Sequence, residues 1–187
     1  MYSEICYTQE AVLRASCSGI FGSCAYYGGN IWFEWCDPST FDSFLHFSCY
    51  SKIPVKNTTT GEDHTLEEAA RHWIFSDPYH LRRFQNAAIR HFLERAYDLD
   101  PGDCVRELTD AGYLAFEDTV ADQDDKMRVT IVKLVRSLWR PGVESSEREV
   151  DKLGSFPDFF AIHVKQDCER CEDPRLPENT SSYMVRE

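Results

Sequence analysis

What the chain lacks narrows its class first. Across 187 residues no apolar run approaches the roughly 20 needed to span a bilayer, and Met1-Tyr2-Ser3-Glu4 has neither the basic start nor the apolar centre of a secretory signal. These absences predict an intracellular protein, cytoplasmic or nuclear, that makes no membrane contact. Positive charge is scarce: 20 Lys and Arg face 32 Asp and Glu, for a net charge of −12. Such a surface repels phosphate backbones and anionic lipid heads, which argues against nucleic acid as a partner. Glycine clusters only at Gly28-Gly29-Asn30. Without a third glycine and a following helix this is no phosphate cradle, and it reads as a turn. The six histidines, His46, His64, His72, His80, His91 and His163, show no paired spacing around a Glu, and none stands by a Ser or Cys in a nucleophile motif. There is no internal repeat and no low-complexity tract. The expectation is a protein that is not an enzyme, with no catalytic residue and no cofactor.

Cysteine is present but gives little. Eight thiols in an intracellular chain are free by default. Cys6, Cys17, Cys24, Cys36 and Cys49 lie among apolar or small residues and are expected to be buried as small hydrophobes. Cys168-Glu169-Arg170-Cys171 alone has metal or redox spacing. A zinc site needs four ligands, and only His163 and the distant Cys104 are available to join the pair. A redox pair would lie between a strand and a helix, whereas this one opens a Pro-containing tail. A zinc- or thiol-dependent protein using Cys168 and Cys171 is therefore the rival reading from a different class. Asn57-Thr58-Thr59 and Asn179-Thr180-Ser181 match the glycosylation pattern, which has no meaning outside the secretory path.

What is there is an apolar content of 42% with 13% aromatics, enough to offset chain entropy over most of the length. The clearest pattern runs from Thr65 to Ala96. Thr65 and Glu68 form a capping box that opens a helix with Leu66, Ala69, Ala70, Trp73 and Ile74 on one face. Pro78 disfavours helical geometry at Asp77 and ends it. The pattern resumes as Leu81, Phe84, Ala88, Ile89, Phe92, Leu93 and Ala96, so two helices fold back on each other. Arg82, Arg83, Gln85, Asn86 and Arg90 fall off that stripe. Arg82, Arg83, Arg90 and Arg95, with His80 and His91, share their helix with Glu94 and Asp98 and read as a solvated face. His72 and His91 read as packing or surface residues, not as bases. Upstream, Asn30-Ile31-Trp32-Phe33-Glu34-Trp35 is β-prone. Asp37 then caps a helix with Pro38 at its first position and Phe41, Phe44, Leu45 and Phe47 along it. Tyr50 and Ile53-Pro54-Val55 mark an extended exit, and Lys56 to Asp63 an exposed loop.

In order, these words resemble a BTB/POZ domain of the fungal type. That family has a strand, an Asp-Pro helix start, a Phe-x-x-Phe/Leu-Leu helix, a Tyr-containing turn and a helix pair whose second member begins like Leu81-Arg82-Arg83-Phe84-Gln85-Asn86-Ala87-Ala88-Ile89. Cys6 to Leu13 followed by Ser18-Gly19-Ile20-Phe21 is similar to its entry, with Gln9-Glu10 where a His-Lys pair normally stands. Only about eight residues precede that entry, so the family's first strand or two are expected to be missing or out of register. The resemblance covers about residues 4 to 98. It implies an α+β fold, a BTB/POZ-like helical cluster flanked by a small β-sheet, with a C-terminal α-helical extension. The expected divisions are 1–98 for the BTB/POZ-like domain, 99–166 for the extension and 167–187 for a flexible tail.

The extension begins after Asp98-Leu99-Asp100-Pro101-Gly102. A short helix is expected at Val105, Leu108 and Ala111, and Tyr113 to Phe116 is an extension of it. A second helix, from Asp122 to Trp139, carries Met127, Ile131, Leu134, Val135 and Leu138 on one face, with Lys126, Lys133 and Arg136 mostly off it and Asp124 and Asp125 in its first turn. Glu144 to Lys152 reads as a mobile connection. Phe156 to Val164 reads as an aromatic helix that docks on the helix before it.

The function implied is a non-catalytic protein-protein interaction module, a self-associating scaffold or adaptor that forms a homodimer and binds other proteins. Candidate interface residues are Ile20, Phe21, Tyr26, Tyr27 and Trp32, aromatic anchors of the kind interfaces favour. Strand alternation turns one of Trp32 and Trp35 inward. The narrower alternative is a substrate adaptor of a cullin-type ubiquitin ligase. Family adaptors carry a hydrophobic-x-Glu motif before the strand at Ile31–Trp35, where this chain reads Ala25-Tyr26-Tyr27-Gly28-Gly29 without the acid.

Overall fold

Five helices carry the architecture, and the sequence explains where each starts. The computed structural model describes residues 37–57, 60–117, 125–138, 151–157, 159, 162 and 184, together with the backbone of 25–27 and 30–32. Helix α1, Pro38–Tyr50, is opened by Asp37. Its carboxylate accepts from the Ser39 and Thr40 backbone N–H groups at 3.0 and 3.1 Å, while Pro38 has no N–H to satisfy. Ser51 closes the helix in the left-handed region, φ 56°, and donates its N–H to the Phe47 carbonyl at 2.7 Å.

Helix α2, Leu66–Ser76, has the expected capping box: the Glu68 N–H donates to Thr65 Oγ1 at 3.2 Å, and the Thr65 N–H to Glu68 Oε2 at 2.8 Å. It ends at Ser76, but Asp77 keeps right-handed helical geometry, φ −66° and ψ −54°, in spite of Pro78, so the backbone breaks only in the turn that follows. The chain turns with His80 at φ 52°, the Leu81 N–H reaches back to the Ser76 carbonyl at 3.0 Å, and helix α3, Arg82–Asp98, follows. Helix α4 is Pro101–Glu117 and helix α5 is Lys126–Leu138. Asp125 precedes α5 and accepts from the Arg128 N–H at 2.8 Å, a carboxylate cap at the positive end of the helix.

Helix α2 is the hub. It packs against α1, α3 and α4, and α4 in turn packs against α5. Because neighbours cover α2 on several sides, its burial goes beyond the predicted stripe to include His72, Phe75 and Ser76. Rings of Phe44, Phe47, Phe75 and His72 surround Phe84 with centroids 5.2–6.3 Å away, which joins α1 to the α2–α3 hairpin. On the far side, Leu153 lies fully buried over Gly112 of α4. A Cβ at that glycine would stand 2.6 Å from Leu153 Cδ2, so the missing side chain is what lets the segment approach. Phe156 and Phe159 complete this patch, with rings 5.8 and 5.9 Å from Phe116.

Several expectations need correction. The α+β class with a small sheet is overturned: the described residues are mostly helical. Their β structure is one antiparallel pair, Ala25–Tyr27 with Asn30–Trp32, and an isolated bridge between Lys56 and Asp63. A pair of three-residue strands is too short to form a sheet that is stable by itself. The apolar spacing from residue 38 onward is helical almost throughout, so helices packing on helices make the core.

The helix expected at Val105 to Ala111, with its extension through Tyr113 to Phe116, is found as one 17-residue helix that starts earlier, at Pro101. The end of the expected mobile connection is helical, at Asp151 and Lys152, and Leu153 just after it is core. The aromatic segment rests the rings of Phe156 and Phe159 on Tyr113 and Phe116 of α4. Cys49 is exposed, whereas Cys104 is buried with its thiol 3.5 Å from the Ala96 carbonyl. Gln85, placed off the apolar stripe, is buried and donates to Asp77 at 3.1 Å.

Candidate functional site

The most unusual chemistry in the described residues lies where the loop before α2 meets the hairpin. His64 from that loop, His72 from the second turn of α2 and His91 from the middle of α3 come together. The ring of His64 stands 5.3 Å from that of His72 and 5.4 Å from that of His91, edge to face in both cases. His64 and His72 are 2% and 1% exposed. Both ring nitrogens of His64, Nδ1 of His72 and Nε2 of His91 are buried without a hydrogen-bond partner. Each such nitrogen costs about 1–3 kcal/mol relative to its state in water.

One carboxylate serves this neighbourhood. Glu68 Oε2 lies 3.6 Å from His64 Nδ1, beyond hydrogen-bond length. Its oxygens are already engaged by Thr65 and by the amide of Asn57, a residue predicted to lie in an exposed loop but found buried. Asn57 organises that loop: its Oδ1 accepts from the Thr60 N–H at 3.1 Å, its carbonyl from Gly61, and its own N–H donates to the Glu62 carbonyl at 2.8 Å. Gly61 holds φ +75°, which only glycine adopts without strain. A side chain so engaged is no glycan acceptor, which removes the Asn57 pattern from consideration on structural grounds. Below the cluster, Glu107 of α4 accepts from Arg95 of α3 at 3.0 Å and from the Leu66 N–H of α2 at 3.0 Å, tying three helices together.

Electrostatics follow from this burial. Desolvation, helped by the neighbouring His64 and His91, pushes His72 from 6.5 down to about 3, with Asp37 pulling weakly the other way. His91 is held at about 4, by burial first and then by His64 and Arg95, against Glu68. Burial also lowers His64, opposed by Glu68, the Lys56 backbone and Asp63, although that backbone makes no hydrogen bond of ordinary geometry to the ring. At neutral pH all three rings are uncharged. His64 and His72 are almost closed to solvent, whereas His91 is half-buried. Among the described residues no three His, Cys, Asp or Glu side chains are placed to hold a metal ion.

Of the sequence-predicted sites, Ile20 and Phe21 lie outside the described residues, as do the side chains of Tyr26, Tyr27 and Trp32. Cys168, Cys171 and His163 lie outside them too. The basic face of α3 is divided. Arg82, Arg83 and Arg90 are exposed as expected, but Arg95 is partnered by Glu107 and His91 belongs to the cluster. Sequence reasoning missed the cluster, although one signal was present: His91 lies thirteen residues after Pro78 and Thr65 thirteen before it. Folding the hairpin at Pro78 therefore brings His91 opposite the start of α2, beside His64. No protein-family model matches the chain, and no curated protein or solved structure shows significant similarity to it. No helix among the described residues is long and apolar enough to cross a membrane.

Proposed function

We propose that this chain is a non-catalytic association module that pairs with a second copy of itself and presents surfaces to other proteins, in the manner of the BTB/POZ domains its sequence resembles. The observation that carries the reading is the order of the pieces. A strand at Asn30–Trp32, a helix begun by Asp37-Pro38 and a helix hairpin broken at Pro78 follow one another as the family's words do. Large apolar groups left in solvent support it: Tyr50, Val55 and Tyr97 are each more than 60% exposed. Such groups become anchors when a partner desolvates them.

The test is sedimentation velocity over a dilution series of the full chain. A concentration-dependent dimer is expected, weakened at least tenfold by Phe21→Arg combined with Trp32→Arg. A monomer at every concentration up to about millimolar, where even about −4 kcal/mol of affinity would show, removes self-association from the reading.

A further inference from the structure

The three histidines of the cluster are not equivalent in how they are held. His72 and His91 sit inside helices of 11 and 17 residues, each locked by the hydrogen bonds of its own helix and by core neighbours. His64 lies on a loop, and its backbone N–H reaches the Val55 carbonyl only at 3.5 Å. The segment that carries it, Ile53 to Thr65, touches the helical body through few groups: Ile53, Asn57 and His64 are its buried side chains among the described residues, and Glu68 is the side chain on α2 that Asn57 and Thr65 grip.

A proton arriving at the cluster therefore finds two firmly held rings and one that can leave. We propose that His64 is a proton-operated latch: on taking up a proton it withdraws from His72 and His91, and the segment Ile53 to Thr65 lifts off α2 and α3 while α4 and α5 stay packed.

The groups facing the cluster pull in both directions, and burial outweighs those that hold a charged His64 in place. Glu68 on α2 is the carboxylate nearest to a charged His64, but its oxygens already hold Asn57 and Thr65, so pairing with His64 draws on the contacts that pin the segment. Arg95 on α3 stands on the same side as His91 and disfavours added positive charge, and its own charge is taken up by Glu107 of α4. Asp37 at the start of α1 reaches only His72, and weakly. Asp63 and the Lys56 backbone move with the segment itself.

Once His64 has gone, water reaches Nδ1 of His72 and Nε2 of His91, which are unpartnered in the closed form. Their burial penalty falls and they too accept protons, so opening takes up more than one proton and steepens with acidity. In the closed form the unpartnered nitrogens store the free energy that lets a small charge change release the segment. Because α2 is capped by Thr65, opening also frees its first turn.

Hydrogen exchange of the full chain, read by mass spectrometry between pH 7.5 and pH 5 in chelator-containing buffer and expressed as protection against the intrinsic rate at each pH, tests this. Peptides covering 53–68 are expected to lose protection by about tenfold per pH unit for each proton taken up below the ordinary histidine value, and to open well before peptides within 104–116 and 127–138, whose protection falls only with the global unfolding free energy. His64→Gln, which removes one of the protons taken up on opening, is expected to lower the pH response of 53–68 by about tenfold per pH unit, leaving only the part owed to His72 and His91. Flat protection in wild-type 53–68 overturns the latch. So does loss in step with α4 and α5, which would be ordinary acid unfolding, or an unchanged pH response in a folded His64→Gln protein.

Discussion

The two ends of the helical body bury polar groups in opposite ways. At the α4–α5 end, Arg128 is 1% exposed, yet its Nε–H donates to the Ala115 carbonyl at 3.0 Å and its guanidinium lies 5.1 Å from the centre of the Phe116 ring. Asp125 beside it is engaged twice, by the Arg128 N–H and by Trp73 Nε1 at 3.2 Å, which ties α5 to α2. Burial still raises the Asp125 carboxyl above its usual range, and those two bonds pull against that rise. Thr109 and Thr130, also buried, donate to the carbonyls four residues before them. At the other end, the His64, His72 and His91 nitrogens are buried with no such partners. A satisfied buried polar group fixes one arrangement of its neighbours. An unsatisfied one makes its surroundings the place where the fold yields first.

The sharpest way to break this comparison is to remove the partnered group. Arg128→Ala removes the Nε donor to the Ala115 carbonyl and the positive charge beside Asp125, and opens a cavity beside Phe116; it is expected to cost about 3–5 kcal/mol in urea unfolding at pH 7.5. A loss under about 1 kcal/mol would mean that the guanidinium is not held as its contacts imply.

Acid probes the other end. A histidine whose folded value is depressed binds its proton better in the unfolded chain. Its contribution is therefore intact above about pH 6.5 and is lost as pH falls from there toward the folded value. With His72 at about 3 and His91 at about 4, each pH unit below 6.5 removes up to about 1.4 kcal/mol per residue. Between pH 7.5 and pH 5 the unfolding free energy is expected to fall by up to about 4 kcal/mol, with any opening of the loop before α2 reducing that figure. A level profile over the same range would place the rings in contact with solvent or with partners.

The smallest effect sharpens the contrast most. Replacing a buried polar group that has no partner with an apolar one of similar size removes little, so His72→Leu is expected to stay within about 1 kcal/mol of wild type at pH 7.5. The acid loss should shrink by about half in the same protein. If His72→Leu instead costs as much as Arg128→Ala, the two ends do not differ in the way their hydrogen bonds indicate.

Local chemistry determined the helices. Asp37 with Pro38, Thr65 with Glu68, and Pro78 are signals read within four residues, and each helix boundary they predict lies where the chain turns. The apolar stripe from Leu66 to Ala96 is likewise core because 3.6-residue spacing needs no knowledge of what covers it. The single long α4 was harder to read because Gly112 and Tyr113 interrupt its pattern, and only Leu153 arriving over that glycine explains the interruption. Tertiary structure alone decided how many sides of α2 are covered. That burial turned His72 from a plausible surface residue into a core one, paired Arg95 with Glu107 and placed an arginine inside. A side chain's period says which face it occupies, but its charge state and partners depend on which other elements meet that face, and those come from distant parts of the chain.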